Sequence, residues 1–170
     1  MRVFTIGHGT RPLAELVMCL SHAGVQTVVD VRRFPGSRRN PQFNRAALAA
    51  GVEAADVAYR HELDLGGRRS GEPGEERFSC LGAFRGYAAR MGTPPWQRAL
   101  ERALAEPTPC FLCAETLPER CHRRLIAELL AARGHDVVHL IRPGEAARHR
   151  PARSAEVRDG RLYLCGEPVA

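Results

Sequence analysis

The chain has 170 residues, a formal net charge of +6 and 25 basic residues, all of them arginine. This length predicts one domain with a sizeable core. No apolar run reaches the roughly 18 residues of a membrane-spanning helix, and the first predicted strand begins where a signal peptide would lie. We therefore expect no membrane association, a cytoplasmic location, and six cysteines that are reduced rather than a disulfide framework.

Short apolar runs alternate with stretches of helical spacing over the first 142 residues. The runs predict five strands, over Val3–Ile6, Gln26–Val31, Val57–His61, Pro109–Cys113 and Asp136–Ile141. The stretches predict helices over Leu13–Leu20, Arg45–Glu53, Leu81–Met91 and Pro95–Glu106, and a fifth between the last two strands. This alternation predicts a three-layer α/β fold, with a mainly parallel, five-stranded, Rossmann-like sheet and helices on both faces.

Two of these helices carry cap signals. Thr10 precedes the first helix as a candidate N-cap, and Gly24 follows its end. Thr116 and Glu119 form a T-x-x-E capping box that predicts the start of the fifth helix, and Gly134 follows its end.

The chain divides by composition near residue 142. We expect residues 1–142 to form a single α/β domain. The arginine-rich tail, residues 143–170, predicts a β-hairpin packed on that domain, with Ala155–Val157 paired to Arg161–Leu164 around the turn at Asp159-Gly160.

Polar signatures follow the ends of four predicted strands. In chain order, the signature residues are His8, Asp30 with Arg32, Gly66 with Gly67, and Cys113 with Glu115. Ligands of open parallel sheets bind in the crevice at the carboxyl ends of the strands. These residues therefore predict one site, in which the two glycines would permit close backbone approach.

Five arginines and no acidic residue lie between Val31 and Val52. A guanidinium fork matches the geometry of phosphate and carboxylate, so this segment predicts an anionic ligand. Its candidate ligand-binding residues are Arg32, Ser37, Arg38 and Asn40. The alternative is a solvated loop whose charges aid solubility.

Cys121 and His122 fall in the predicted first turn of the fifth helix, on its core-facing side. The helix dipole there would lower the pKa of Cys121, and an activated thiolate with His122 or Glu115 as base is a candidate nucleophile. The alternative is a small buried cysteine in the core.

A metal centre is a rival use of the same side chains. Cys110, Cys113, Cys121 and His122 superficially resemble a Cys₃His zinc set. Three residues along a strand place Cys110 and Cys113 on opposite faces, which argues against the complete set. Our leading prediction contains no metal; if one is bound, its ligands are Cys113, Cys121 and His122.

Two further charged residues have alternative roles. Asp30 could hold arginine side chains or act as an acid or base, or it could cap loop N–H groups. Arg123 is a candidate ligand-binding residue, but its i, i+4 spacing from Glu119 also suits a surface ion pair.

From about residue 3 to residue 141 the chain resembles the DUF488 family of small α/β proteins of unknown function. The matching segments are Thr5–His8, Asp30–Asn44, Leu65–Arg69, Cys113–Glu115 and Cys121–Arg124. The resemblance implies that the signature residues form one site, and it adds weight to Cys113, Glu115, Cys121 and His122. It implies no reaction. Similar proteins usually have serine after the Gly-His pair, where this chain has Gly9; if that hydroxyl is used, Thr10 must replace it.

The leading hypothesis is an enzyme that binds a phosphorylated or nucleotide-like small molecule at the strand ends. Its candidate catalytic residues are His8, Asp30, Cys113, Glu115, Cys121 and His122. Its candidate ligand-binding residues are Thr10, Arg32, Ser37, Arg38, Asn40, Gly66, Gly67 and Arg123. The alternatives are a nucleic-acid-binding module that uses Arg32–Arg45 and the basic tail, and a metal-binding or thiol redox protein.

Overall fold

The computed structural model describes residues 1–169, which form one six-stranded and one three-stranded sheet. The strands are β1 (Arg2–Gly7), β2 (Thr27–Asp30), β3 (Ala58–His61), β4 (Pro109–Cys113), β5 (Asp136–Arg142), β6 (Glu145–Arg148), β7 (Ala155–Arg158), β8 (Arg161–Leu164) and β9 (Glu167–Pro168). The α-helices are α1 (Leu13–His22), α2 (Arg45–Glu53), α3 (Arg85–Met91), α4 (Pro94–Ala105) and α5 (Arg123–Ala132).

The large sheet has the strand order β3-β2-β4-β1-β5-β6. Its first five strands in chain order pair in parallel, and β6 is antiparallel to β5 at the edge. The predicted three-layer, mainly parallel α/β fold is confirmed, although the sheet has six strands rather than five.

Helices cover both faces of this sheet because neighbouring residues of a strand point to opposite sides. Val3 and Phe111 pack under α3, α4 and α5, whereas Phe4 and Leu112 pack under α1 and α2. The central strands are apolar at nearly every position because both of their faces are buried.

A hydrogen-bonded chain fixes the loop after β3 to the helical layer. The buried Trp96 of α4 donates from Nε1 to the Tyr87 hydroxyl at 3.1 Å, and that hydroxyl donates to the Leu65 carbonyl at 2.9 Å. The backbone just before Gly66 is therefore held by two buried aromatic side chains.

Gly24 and Gly134 follow the ends of α1 and α5 as predicted, with φ of 66° and 80°, but both N-cap predictions are wrong. Helix α1 begins at Leu13, and Pro12, not Thr10, occupies the N-cap position with a φ of −61°. No side chain caps this helix. The residues of the T-x-x-E box lie before α5, where Pro118–Arg120 form a single 3₁₀ turn. The extended Cys121 (φ −134°, ψ 145°) ends that turn, so α5 begins only at Arg123.

The predicted helix Leu81–Met91 is also only partly correct. Its first residues belong to an irregular 3₁₀ stretch, Glu75–Phe84, in which Gly82 has a positive φ of 55° that breaks regular helix. Helix α3 begins at Arg85.

The tail forms the predicted hairpin between β7 and β8, and β9 extends it to three strands. Leu162 and Leu164 of β8 belong to the same buried core as α5. Over residues 1–169, no helix combines the length and the apolar character needed to cross a membrane.

The prediction of six reduced cysteines is wrong for one pair. Cys80 and Cys165 form a disulfide, whereas Cys19, Cys110, Cys113 and Cys121 are free. The bonded residues are 85 positions apart and come within 5.8 Å (Cα to Cα) only through the fold, so their spacing gives no signal. The disulfide ties the stretch Glu75–Phe84 to the small sheet.

Candidate functional site

A cleft of about 710 Å³ opens where β1, β2 and β4 end at their carboxyl edges. Ten of the predicted site residues line it: His8, Thr10, Arg32, Ser37, Asn40, Gly67, Cys113, Glu115, Cys121 and His122. Four do not line it: Asp30, Arg38, Gly66 and Arg123. The strand-end signatures thus converge on one crevice, as parallel topology requires.

Asp30 and Arg32 form a fully buried ion pair beneath the cleft. The guanidinium donates from Nε to Oδ1 at 2.9 Å and from Nη2 to Oδ2 at 2.6 Å, and the Tyr59 hydroxyl also donates to Oδ2 at 2.6 Å. A further bond from Arg32 Nη1 reaches the Phe43 carbonyl at 2.7 Å. The charge of Arg32 is therefore balanced internally, and its donors mainly hold the arginine-rich loop in place.

His8 is held in one orientation by both of its ring nitrogens. Nδ1 donates to the Gly9 carbonyl at 2.8 Å, so Nε2 is left to accept from Arg32 Nη1 at 3.3 Å, and the ring stacks on Phe43. Burial, together with the charge of Arg32, lowers the pKa of His8. The neutral imidazole shapes the cleft wall and has no free nitrogen to act as an acid.

Two sulfur atoms and one imidazole meet on the floor of the cleft. His122 Nδ1 lies 3.7 Å from Cys113 Sγ and 3.7 Å from Cys121 Sγ, and all three side chains are buried. His122 Nε2 lies 3.0 Å from the Val31 carbonyl, which can only accept, so the proton sits on Nε2. The Nδ1 lone pair consequently faces both sulfurs.

The two thiols of this cluster differ in acidity. A hydrogen bond from Cys121 lowers the pKa of Cys113 well below its usual range, while the same bond and burial raise the pKa of Cys121. The expectation that the start of α5 would lower the pKa of Cys121 is wrong: the Arg123 N–H does donate to Cys121 Sγ at 3.4 Å, but the bond with Cys113 and burial outweigh it. Cys113 is the more acidic thiol.

The buried guanidinium of Arg123 lies next to the loop between Cys113 and Cys121. Arg123 donates from Nη2 to the Thr116 carbonyl at 3.1 Å, and its Nε and Nη1 have no partner within residues 1–169. Its side chain is buried, so the predicted surface pair with Glu119 does not form. Its positive charge also helps to lower the pKa of the Cys113 thiol, although the hydrogen bonds from Cys121 and His122 have a larger effect.

The model of the family described as domain of unknown function DUF488 matches residues 12–130. The chain belongs to the DUF488 family. No curated protein and no solved structure matches this DUF488 chain.

Both glycines of the loop after β3 are required by close packing. A Cβ atom on Gly67 would overlap the His122 ring, and one on Gly66 would overlap Arg33 and the Leu63 carbonyl. Neither glycine has a positive φ, so the pair allows close packing against the imidazole and is not required by a turn. Gly66 supports the cleft without lining it.

Gly9, at the position where the sequence resemblance led us to expect serine, has a φ of +53°. A Cβ atom at this position would overlap the hydroxyl of Thr116, which lines the cleft. Thr116, rather than Thr10, therefore places a hydroxyl beside position 9 in this chain.

The sequence analysis did not select four arginines that line the cleft: Arg33, Arg68, Arg69 and Arg120. None of the four forms a salt bridge within residues 1–169. Burial, with the charges of Arg90 and Arg33, lowers the pKa of Arg69. The sequence did contain a signal that these arginines lie near the site: Arg68 and Arg69 directly follow the glycine pair, and Arg120 directly precedes Cys121.

Proposed function

We propose that this DUF488 protein is an enzyme that acts on a small anionic molecule in the strand-end cleft, with its reactive centre at Cys113, Cys121 and His122. One observation carries the proposal: four arginines without ion-pair partners surround a floor where two sulfurs and an imidazole meet. A structural domain needs neither feature.

The rim arginines supply the argument for an anion. Arg32 is neutralised by Asp30, whereas Arg33, Arg68, Arg69 and Arg120 form no salt bridge within the described residues. Like charges held around one concave space repel each other, and an anion would relieve that repulsion. Arginine forks also match the oxygens of phosphate.

The cleft size and one exposed ring favour a phosphorylated or nucleotide-like molecule. A volume of about 710 Å³ falls in the range of roughly 300–1,000 Å³ that is usual for small-molecule sites. Phe34 lines the rim with 64% of its surface exposed, and the Arg33 guanidinium lies 5.2 Å from the ring centroid. Such a ring offers a face on which a base could stack.

The position of the tail favours a small molecule over a nucleic acid. Arg148 of β6 pairs with Asp136 at 3.3 Å, and Asp136 begins β5, at the sheet edge opposite the cleft. Arg148 is therefore not continuous with the rim arginines. A nucleic acid would have to bridge two edges of the sheet to use both groups.

Within this proposal the predicted residues divide by role. Glu115 is exposed in the cleft and is the candidate acid or base, while Ser37 and Asn40 shape the arginine-rich loop, where Ser37 Oγ accepts from the Asn40 N–H at 3.0 Å. His8 and Asp30 are positioning residues.

Calorimetric titration with inorganic phosphate and with AMP tests the anion site. We expect Arg120→Ala and Arg68→Ala each to weaken binding about 10-fold or more, since a bond to a charged group contributes about 1.5–3 kcal/mol. Arg98→Ala and Arg148→Ala are the matched controls, because both remove an exposed arginine that does not line the cleft. Equal weakening in all four variants would indicate non-specific attraction and contradict the proposal.

A further inference from the structure

We propose that Cys113, Cys121 and His122 bind one zinc ion whose fourth coordination position faces the cleft. The site stands on the geometry of its three donor atoms, and its use in catalysis rests on the proposed function.

The spacing of the donors fits a tetrahedral ion. All three donor atoms lie within 4.8 Å of one another, and His122 Nδ1 lies 3.7 Å from each sulfur. Zn–S bonds of about 2.3 Å and a Zn–N bond of about 2.0–2.1 Å at the tetrahedral angle place sulfur and nitrogen about 3.6 Å apart. Both sulfur-to-nitrogen distances of the cluster therefore already match those around one tetrahedral zinc ion.

The orientation of His122 is that of a metal ligand. The Nε2–H bond to the Val31 carbonyl fixes the tautomer and directs the Nδ1 lone pair at the sulfurs. A ligating histidine ordinarily donates its other N–H to such an acceptor. Tyr87 packs edge-on to the ring, and Gly67 leaves the room that the ring needs, so the imidazole cannot turn away.

The donor set selects the ion. Two thiolates with an imidazole form a soft, tetrahedral set, which favours zinc over calcium or magnesium. The two thiolates also balance the charge of the dication. The backbone N–H of Arg123 donates to Cys121 Sγ at 3.4 Å, a bond that stabilises a thiolate ligand.

The fold leaves the fourth position open. Cys110 belongs to the core on the opposite face of β4, and both nitrogens of His8 are engaged elsewhere. The three donors themselves line the cleft. Three protein ligands with one open position are typical of catalytic rather than structural zinc sites, so water or an oxygen of the anionic substrate would complete the shell.

Metal content of the full chain tests the site directly. The protein is loaded with zinc, freed of loosely bound ions by gel filtration and analysed by inductively coupled plasma mass spectrometry. We expect about one zinc per chain, which fits the one three-donor cluster found among residues 1–169. Cys113→Ser, Cys121→Ser and His122→Asn should each lose most of it, whereas Cys19→Ala and Cys110→Ala, at buried free cysteines outside the cluster, should keep it.

Cobalt provides a second readout that does not depend on the variants folding. Wild-type protein loaded with Co²⁺ should show thiolate-to-cobalt charge transfer and intense visible bands of tetrahedral cobalt, and inorganic phosphate should shift those bands. Absence of zinc and of these bands in the wild type would overturn the inference. Retention of zinc by the three cluster variants would overturn it as well.

The two proposals can fail separately. Phosphate titration of protein stripped with a chelator reports on the arginine rim alone. If phosphate binds and zinc does not, the metal inference is wrong and the proposed function stands. If zinc binds and the rim variants leave phosphate affinity unchanged, the anion site is wrong.

Discussion

Two buried histidine clusters of this protein differ in how their ring nitrogens are used. His139 Nδ1 lies 2.7 Å from Thr5 Oγ1 and its Nε2 lies 3.0 Å from His149 Nδ1; His149 Nε2 in turn lies 3.2 Å from Glu128. The other Glu128 oxygen accepts from the Ala152 N–H at 2.8 Å. We call these residues the closed cluster, and none of them lines the cleft.

His122 has the opposite arrangement, since only its Nε2 is bonded to an oxygen. Its Nδ1 faces two sulfurs at the floor of the cleft. The closed cluster links the start of the tail to α5 and the sheet through the contacts of His139, His149 and Glu128. The open cluster leaves donor atoms directed at a space that a ligand can enter. Buried histidine alone is therefore not a sign of function; His122 differs because its Nδ1 faces two sulfurs that line the cleft.

The largest expected effect comes from opening the closed cluster. Glu128→Ala removes the carboxylate that faces His149 Nε2 and the acceptor of the Ala152 N–H, so we expect the free energy of unfolding to fall by about 3–5 kcal/mol. Urea denaturation followed by circular dichroism measures this loss. Glu119→Ala, at an exposed carboxylate, is the control and should change little. A loss below about 1 kcal/mol would mean that the closed cluster does not stabilise the packing of the tail.

Acid should weaken the closed cluster next. Burial, with the charge of His149, lowers the pKa of His139 to about 4. The unfolded histidine has a pKa of about 6.5, so the unfolded chain takes up the proton first and stability falls as pH drops from 6.5 to 4, by up to about 3 kcal/mol. Urea midpoints measured across this pH range should fall less steeply in His139→Gln. Equal slopes in the two proteins would contradict the assignment.

A smaller effect should follow from crowding the open cluster. Gly67→Ala places a methyl group against the His122 ring, and we expect a stability loss of about 1–2 kcal/mol together with weaker zinc retention. Gly36→Ala is the matched control, because Gly36 also lines the cleft but has only Asn44 Oδ1 near a Cβ position, at 3.9 Å. If the two variants behave alike, His122 is not held by the glycine loop.

The smallest change in stability should come from the open cluster itself. His122→Asn in metal-free protein removes one bond to the Val31 carbonyl, so we expect a loss of about 1 kcal/mol or less. Thermal or urea unfolding of chelator-treated protein provides the measurement. A loss as large as that of Glu128→Ala would assign His122 a structural role.

The fold was predictable because short, mostly apolar runs alternate with stretches of helical spacing, so the five parallel strands could be placed from sequence. The start of α5 could not, because Thr116 and Glu119 satisfy a capping pattern that the chain uses for a 3₁₀ turn instead. The disulfide of Cys80 with Cys165 depends on contact across 85 residues, which spacing does not reveal.

The site was predictable in place but not in detail. Strand ends located His8, Cys113 and the loop after β2, since parallel topology alone brings them together. Which arginines form ion pairs within the protein depends on burial. Arg32 is buried with Asp30 in an ion pair, whereas Arg120 is exposed and forms none among the described residues. The direction of the His122 lone pair depends on a carbonyl 91 residues away.

An anomalous difference map at the zinc absorption edge, from crystals of zinc-loaded protein, tests the open cluster most directly. We predict a single strong peak between Cys113 Sγ, Cys121 Sγ and His122 Nδ1, with a fourth ligand on the cleft side. A map without a peak at these three atoms, from protein that is fully folded and zinc-saturated in solution, would contradict it.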